Sequence, residues 1–150
     1  MSDSLAAPKG KKIQARNCFV CGRENPRGLD IPFYFDGSSI AARYRSNKSL
    51  CGFDDIVHGG ILFALADEAM MHLVWAPGLR AITAEVTMRF HGYAIAGDEI
   101  SLKASFDECS PKLIKATCRI KNSAGTKIAT ARGKFLPFSR EKSAIFKKTF

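Results

Sequence analysis

The sequence predicts an α+β domain in which a curved antiparallel sheet wraps around one long central helix. Two observations carry that expectation. The stretch from Val57 to Trp75 is apolar on almost every face, so a helix built from it must be enclosed by protein. The segments on either side alternate apolar and polar residues, the pattern of half-buried strands. A helix hides all its faces from water only if the sheet made by those strands curls around it. Asp67, Glu68 and His72 interrupt the helix, which is also short for a bilayer, so a membrane span is not expected.

The elements follow in order. Residues 1–16 are small, polar and basic and read as a tail without structure. Asn17 to Gly28 reads as a compact, turn-rich segment. Leu29, Ile31, Phe33 and Phe35 alternate with polar neighbours in a first strand, with Pro32 marking its edge or its beginning. Asp36-Gly37 is a hairpin signal, and Ile40, Ala42 and Tyr44 give a second strand. Residues 46–56 form a loop. The helix begins at His58-Gly59-Gly60 and stops at Ala76-Pro77-Gly78. Beyond it, Ile82, Ala84, Val86, Met88 and Phe90 give one apolar face of a long strand, and Thr83, Glu85, Thr87, Arg89 and His91 the other. Strands over 100–106, 114–121 and 127–138 complete the sheet, with Gly133 marking a bulge or a close approach. The domain is expected over 17–138, followed by a basic tail over 139–150.

The 150 residues suffice for one domain with a real core. A net charge of +9 comes largely from two terminal clusters: Lys9, Lys11, Lys12 and Arg16, then Arg140, Lys142, Lys147 and Lys148. These read as a solvated fringe. No nucleic-acid motif or aromatic-interleaved basic strip is present, so nucleic acid is not an expected partner. Five cysteines without an apolar leader segment point to free thiols in a reducing, cytoplasmic setting. Cys18 and Cys21 form a lone Cys-x-x-Cys. Zinc would need further donors, from Cys51, His91 or a second chain, because Cys109 and Cys118 are too far apart to be a second local pair. The segment reads as a tight turn, and no metal is expected.

His58-Gly59-Gly60 with Leu65-Ala66-Asp67, Thr83 on the following strand and Gly97-Asp98 beyond it resemble the hotdog-fold acyl-CoA thioesterases, most closely their PaaI-like branch. Cys21-Gly22, Asn25-Pro26 and Gly28-Leu29 resemble a subset of that branch. The resemblance spans about Cys18 to Phe138. It implies a hotdog fold, an acyl-CoA substrate, no cofactor beyond the coenzyme A of the substrate, and no membrane partner. It also implies a homodimer joined edge to edge, with a dimer of dimers as the higher assembly, and sites lying between subunits.

The chemistry fits the residues. Amide N–H groups of Gly59 and Gly60 at a helix start favour an oxyanion. His58 stands beside them, either orienting the thioester or capping the helix. The resemblance makes Asp67 the general base or nucleophile, which an apolar surround would tune toward basicity. Glu68 is the alternative carboxylate, but it points about 100° away around the helix. It reads as an interface or ion-pair residue, with Arg80 or Arg89 as partner. Thr83 holds the water or the carboxylate, or is simply a strand former. Arg89, Arg132 and Lys134 are candidates for the coenzyme A phosphates. Phe63, Met70, Met71, Trp75 and Phe90 are candidate acyl-pocket walls. The family's Asn or Gln ahead of the His-Gly-Gly turn has no counterpart in Cys51-Gly52-Phe53-Asp54-Asp55.

Overall fold

The computed structural model describes residues 8–138. The strands are β1 (Lys11–Ile13), β2 (Phe33–Phe35), β3 (Ser39–Arg45), β4 (Cys51–Phe53) and β5 (Ile56–Val57) ahead of the helix α1 (Gly59–Trp75). Then come β6 (Ala81–Phe90), β7 (Glu99–Cys109), β8 (Ile114–Lys121) and β9 (Lys127–Pro137). Seven strands make one antiparallel sheet in the order β1-β2-β3-β7-β8-β9-β6, while β4 and β5 form a small separate hairpin. The helix packs against six of the seven sheet strands, from β2 to β6, as enclosure by a curled sheet requires. Leu62, Leu65, Ala69, Met70 and Leu73 of α1 meet Phe33, Ile40, Ile100, Ala104, Ile120 and Phe135 of the sheet in one core. Among the described residues no helix is long and apolar enough to cross a membrane.

Besides the β4–β5 hairpin inside the expected loop over 46–56 and a β2 shorter than the expected strand from Leu29, three features depart from the sequence reading. The supposed tail is structured from Lys11, because Lys11 to Ile13 pair with Phe35 to Phe33 on β2. The tail over 139–150 lies outside the described residues, as do residues 1–7. The helix is not enclosed on every face: Gly60 and Phe63 are exposed, and Asp67 and Met71 are half-buried. These positions line up along one stripe of a 3.6-residue repeat.

The third departure lies in β6. Its register against β9 shifts between Thr83 and Glu85, leaving Ala84 as a bulge. Opposite residues in an antiparallel pair share a face. Thr83, Val86, Met88 and Phe90 oppose Phe135, Gly133, Ala131 and Ala129, all buried against the helix. The extra residue therefore moves Thr83 onto the helix-facing side and Ile82, 47% exposed, onto the outer side. The single unbroken apolar face expected from 82 to 90 does not exist. At Gly133 the register is regular, and the glycine serves close approach instead: a Cβ there would stand 2.7 Å from the Phe135 ring and 3.1 Å from Met70 Cε. Gly133→Ala is expected to destabilise the protein by about 1–3 kcal/mol, seen as a lower denaturant midpoint at unchanged slope. An unchanged midpoint would show that ring and methionine yield freely.

Candidate active site

The start of α1 is built by His58. It is the N-cap residue, and its Nδ1 accepts the Gly60 N–H at 2.8 Å. Its own N–H donates to Leu50 O at 2.8 Å, and the ring lies against Gly52 of β4. This changes the expected role of Gly60: its amide is spent on the cap and is not free for an oxyanion. The Ile61 N–H goes to His58 O at 2.9 Å. The Gly59 N–H has no acceptor among the described residues and is the donor left open, with the Phe90 ring packed beside it. Because Nδ1 accepts, the neutral imidazole carries its proton on Nε2, a second outward donor.

Asp67 lies two turns further along the open stripe. Thr83 Oγ1 donates to its Oδ1 at 3.0 Å. Burial pushes the Asp67 carboxyl above the usual aspartate range, the Thr83 hydrogen bond pulls it partly back, and the neighbouring Glu68 charge adds to the rise. The bulge at Ala84 makes this pairing: without it, Thr83 could not share a face with Val86 and Met88. Eight residues at 1.5 Å each place Asp67 about 12 Å along the axis from Gly59, too far for both to reach one carbonyl from one chain.

Glu68 faces elsewhere. It meets neither Arg80, which stacks over Trp75 at 4.6 Å, nor Arg89, which lies on the outer face of β6. Its Oε1 instead accepts from Cys18 Sγ at 3.1 Å and Cys21 Sγ at 2.9 Å, with His72 Nε2 at 3.1 Å. Burial alone would raise the Glu68 carboxyl, but the His72 and cysteine contacts outweigh it and hold the group below its ordinary value. Cys51 and His91 are not part of this cluster: Cys51 sits on β4, and His91 Nε2 lies 3.1 Å from Thr130 Oγ1. Sequence reasoning missed the association. The available signal was Glu68-x-x-x-His72, one helical turn apart on the side of α1 away from Asp67.

The remaining candidates separate. Arg132 and Lys134 oppose Thr87 and Glu85 on the outer face of the sheet, and Arg89 opposes Thr130 there. Lys134 Nζ already pairs with Glu85 at 2.9 Å. Phe63, Met71 and Phe90 border the open stripe, whereas Met70 is fully buried and Trp75 donates to Ala81 O at the far end of the helix. Clefts of about 350 Å³ beside Arg43 and Lys103 and about 260 Å³ beside Trp75 and Arg80 lie away from Asp67. Asp67 itself stands on the open stripe of α1.

The family model of the thioesterase superfamily matches residues 55–129, half of the chain, from the loop ahead of α1 into β9. The chain belongs to the thioesterase superfamily. This superfamily member has the hotdog fold. It superposes on the PaaI protein from the phenylacetic acid degradation operon of E. coli with a TM-score of 0.70 at 24% identity, covering 74% of this chain and 81% of that one. For smu.793 from Streptococcus mutans UA159, bound to acetyl-CoA, the TM-score is 0.68 at 14% identity, covering 71% and 89%. For a hypothetical thioesterase protein with coenzyme A from Streptococcus pneumoniae TIGR4 it is 0.66 at 18% identity, covering 68% and 80%. The pneumococcal protein has also been solved with an Asp replaced by Ala and with a Thr replaced by Ala. No curated protein sequence matches the superfamily member significantly.

The Thr83 hydrogen bond stabilises ionised Asp67, so Thr83→Val is expected to move the carboxyl further up. In an NMR titration of the Asp67 carboxyl carbon, the midpoint should lie above the wild-type value. A midpoint that stays or falls would mean that the hydroxyl does not support the charge.

Proposed function

We propose that the protein is an acyl-CoA thioesterase of the PaaI-like branch, hydrolysing the thioester of a small to medium acyl- or aryl-CoA. The observation that carries this reading is the Asp67–Thr83 pair: a half-buried carboxylate of raised basicity, held by a hydroxyl on the stripe of α1 that also carries the exposed Phe63. The two residues substituted in the pneumococcal protein are an Asp and a Thr sixteen positions further on, the separation of Asp67 and Thr83 here.

In this reading Asp67 takes a proton from water as the water attacks the thioester carbon, or attacks that carbon itself to give an anhydride that water then opens. The charge growing on the carbonyl oxygen meets the Gly59 N–H at the positive end of α1, with His58 Nε2–H beside it. The carbon–sulfur bond breaks and the coenzyme A thiolate leaves and takes a proton. Thr83 is a positioning residue for the carboxylate. No cofactor takes part, since coenzyme A arrives within the substrate.

The separation of Asp67 from Gly59 along one helix supports a composite site, with each half from a different subunit of a homodimer. The edge strand β6 supports this. Its outer edge is unpaired among the described residues, and a long open edge is the natural place for a second copy to add its own strand. A dimer of dimers is the higher assembly of this proposal. Arg89 and Arg132 are exposed and fit the coenzyme A phosphates better than Lys134, which Glu85 engages. A non-catalytic acyl-CoA binder is the second reading, favoured by one observation: residues 51–55 beside His58 offer no amide side chain to polarise a thioester.

Release of free thiol from a panel of acyl- and aryl-CoA esters tests the proposal. Asp67→Asn is expected to lower kcat by about 10²–10⁴-fold with the fold intact. Equal turnover by variant and wild type would remove Asp67 from the chemistry, and tight binding without turnover by the wild type would select the second reading.

A further inference from the structure

We propose that Cys18, Cys21 and Glu68, with His72 as the fourth donor, form a structural zinc site that fastens the Cys18–Gly22 turn to α1. Cys18 Sγ, Cys21 Sγ and a Glu68 carboxylate oxygen all lie within 4.8 Å of one another. His72 Nε2 adds a nitrogen 3.1 Å from Glu68 Oε1 and 3.4 Å from Cys21 Sγ. Bond lengths of about 2.3 Å to sulfur and 2.0–2.2 Å to nitrogen or oxygen separate tetrahedral donors by roughly 3.3–3.8 Å. Glu68 Oε1 stands 2.9–3.1 Å from the two sulfurs and His72 Nε2, a few tenths of an ångström short of these separations, and His72 Nε2 to Cys21 Sγ at 3.4 Å already meets them. Two thiolates, a carboxylate and an imidazole suit zinc better than a hard, oxygen-seeking cation.

The turn is shaped for thiolates. The N–H groups of Val20 and Cys21 point at Cys18 Sγ at 3.3 and 3.5 Å, and the Ala15 N–H points at Cys21 Sγ at 3.3 Å. The last of these amides offsets in part the Cys18 contact, the burial and the Glu68 charge, which push the Cys21 thiol up until a cation binds. Gly22 closes the turn by donating to Cys18 O at 2.9 Å, and a Cβ there would stand 2.4 Å from that oxygen and 2.8 Å from Arg16 O. Only glycine fits behind the second cysteine. A Cys18–Cys21 disulfide is the competing chemistry. It would remove both S–H donors from Glu68 and leave a largely buried carboxylate facing two sulfurs without protons. Zinc would instead coordinate that carboxylate directly. On binding, the two thiols release two protons.

The site also joins distant parts of the chain. The Phe19 and Val20 carbonyls accept from Leu29 and Ile31 N–H, so the fastened turn continues toward β2. Glu68 directly follows Asp67, and pinning Glu68 and His72 fixes the rotation of α1 that aims Asp67 at Thr83. This inference replaces the expected metal-free turn, and it stands apart from the thioesterase reading because its test measures metal and not turnover.

Untagged protein, purified with reductant and without chelator, should hold one zinc per chain by elemental analysis. Exchange into cobalt should give intense visible bands of tetrahedral geometry and a thiolate charge-transfer band. Glu68→Gln, nearly isosteric, should shift the visible bands and weaken zinc retention. Cys18→Ser should abolish the charge-transfer intensity of that sulfur. A strong chelator should lower Tm in the wild type. Reduced wild-type protein that takes up no zinc on dialysis would overturn the proposal. So would cobalt uptake without thiolate charge transfer, or a purified mass two hydrogens light from a Cys18–Cys21 disulfide. These readouts need no active enzyme, so their failure is distinct from failure of the hydrolase reading.

Discussion

The hydrogen bond from Thr83 to Asp67 is the constraint on which the site depends. It exists because β6 carries one residue more than β9 opposes at Ala84. That bulge reverses the side-chain alternation for the first part of the strand and turns a hydroxyl toward the helix. The carboxylate it meets lies in a setting that disfavours charge, so the hydroxyl keeps Asp67 ionised while burial keeps it basic. Either influence without the other would give a poorer base.

Two adjacent carboxylates on one helix thereby acquire different work. Asp67 lies on the stripe of α1 that the sheet leaves open, while Glu68, a turn's fraction away, is drawn into the Cys18–Cys21 turn and His72. Their environments move them in opposite directions, Asp67 upward and Glu68 downward. Such divergence separates a group suited to proton transfer from one suited to holding structure. The open stripe also has an energetic consequence. Phe63 and Phe90, 38% and 50% exposed, and the unpaired edge of β6 together form apolar surface and free backbone that a second copy would cover.

Much of this was legible in the residues. The apolar run from Val57 to Trp75 gave the helix, and the alternating segments gave six of the strands within a few residues of their observed limits. Helical spacing put Phe63 and Asp67 on one stripe with Met70 or Met71, and burial of Met70 leaves Met71 as its third member. The rest was hidden for physical reasons. A bulge adds a residue without changing composition, so the face of Thr83 was not readable from period-two alternation. Lys11–Ile13 looked like tail because an edge strand of three residues needs no apolar pattern. The Gly60 amide looked free because only geometry shows His58 Nδ1 folding back to accept it. The cysteine turn looked isolated because its partners stand some fifty residues away in sequence.

The central claim is that the oxyanion donor and the base of one site come from different subunits. Mixed dimers test it most directly. One parent carries Asp67→Asn. The other carries Gly59→Pro, which deletes the amide at the first helical position, where proline is tolerated, after a His58 already extended at φ −58° and ψ 132°. Each parent dimer should be nearly inactive. A dimer with one subunit of each kind contains one complete site if the halves cross the interface, so the expected result is recovered thioester hydrolysis on mixing. Mixed dimers as inactive as their parents would place both halves in a single chain and contradict the proposed site.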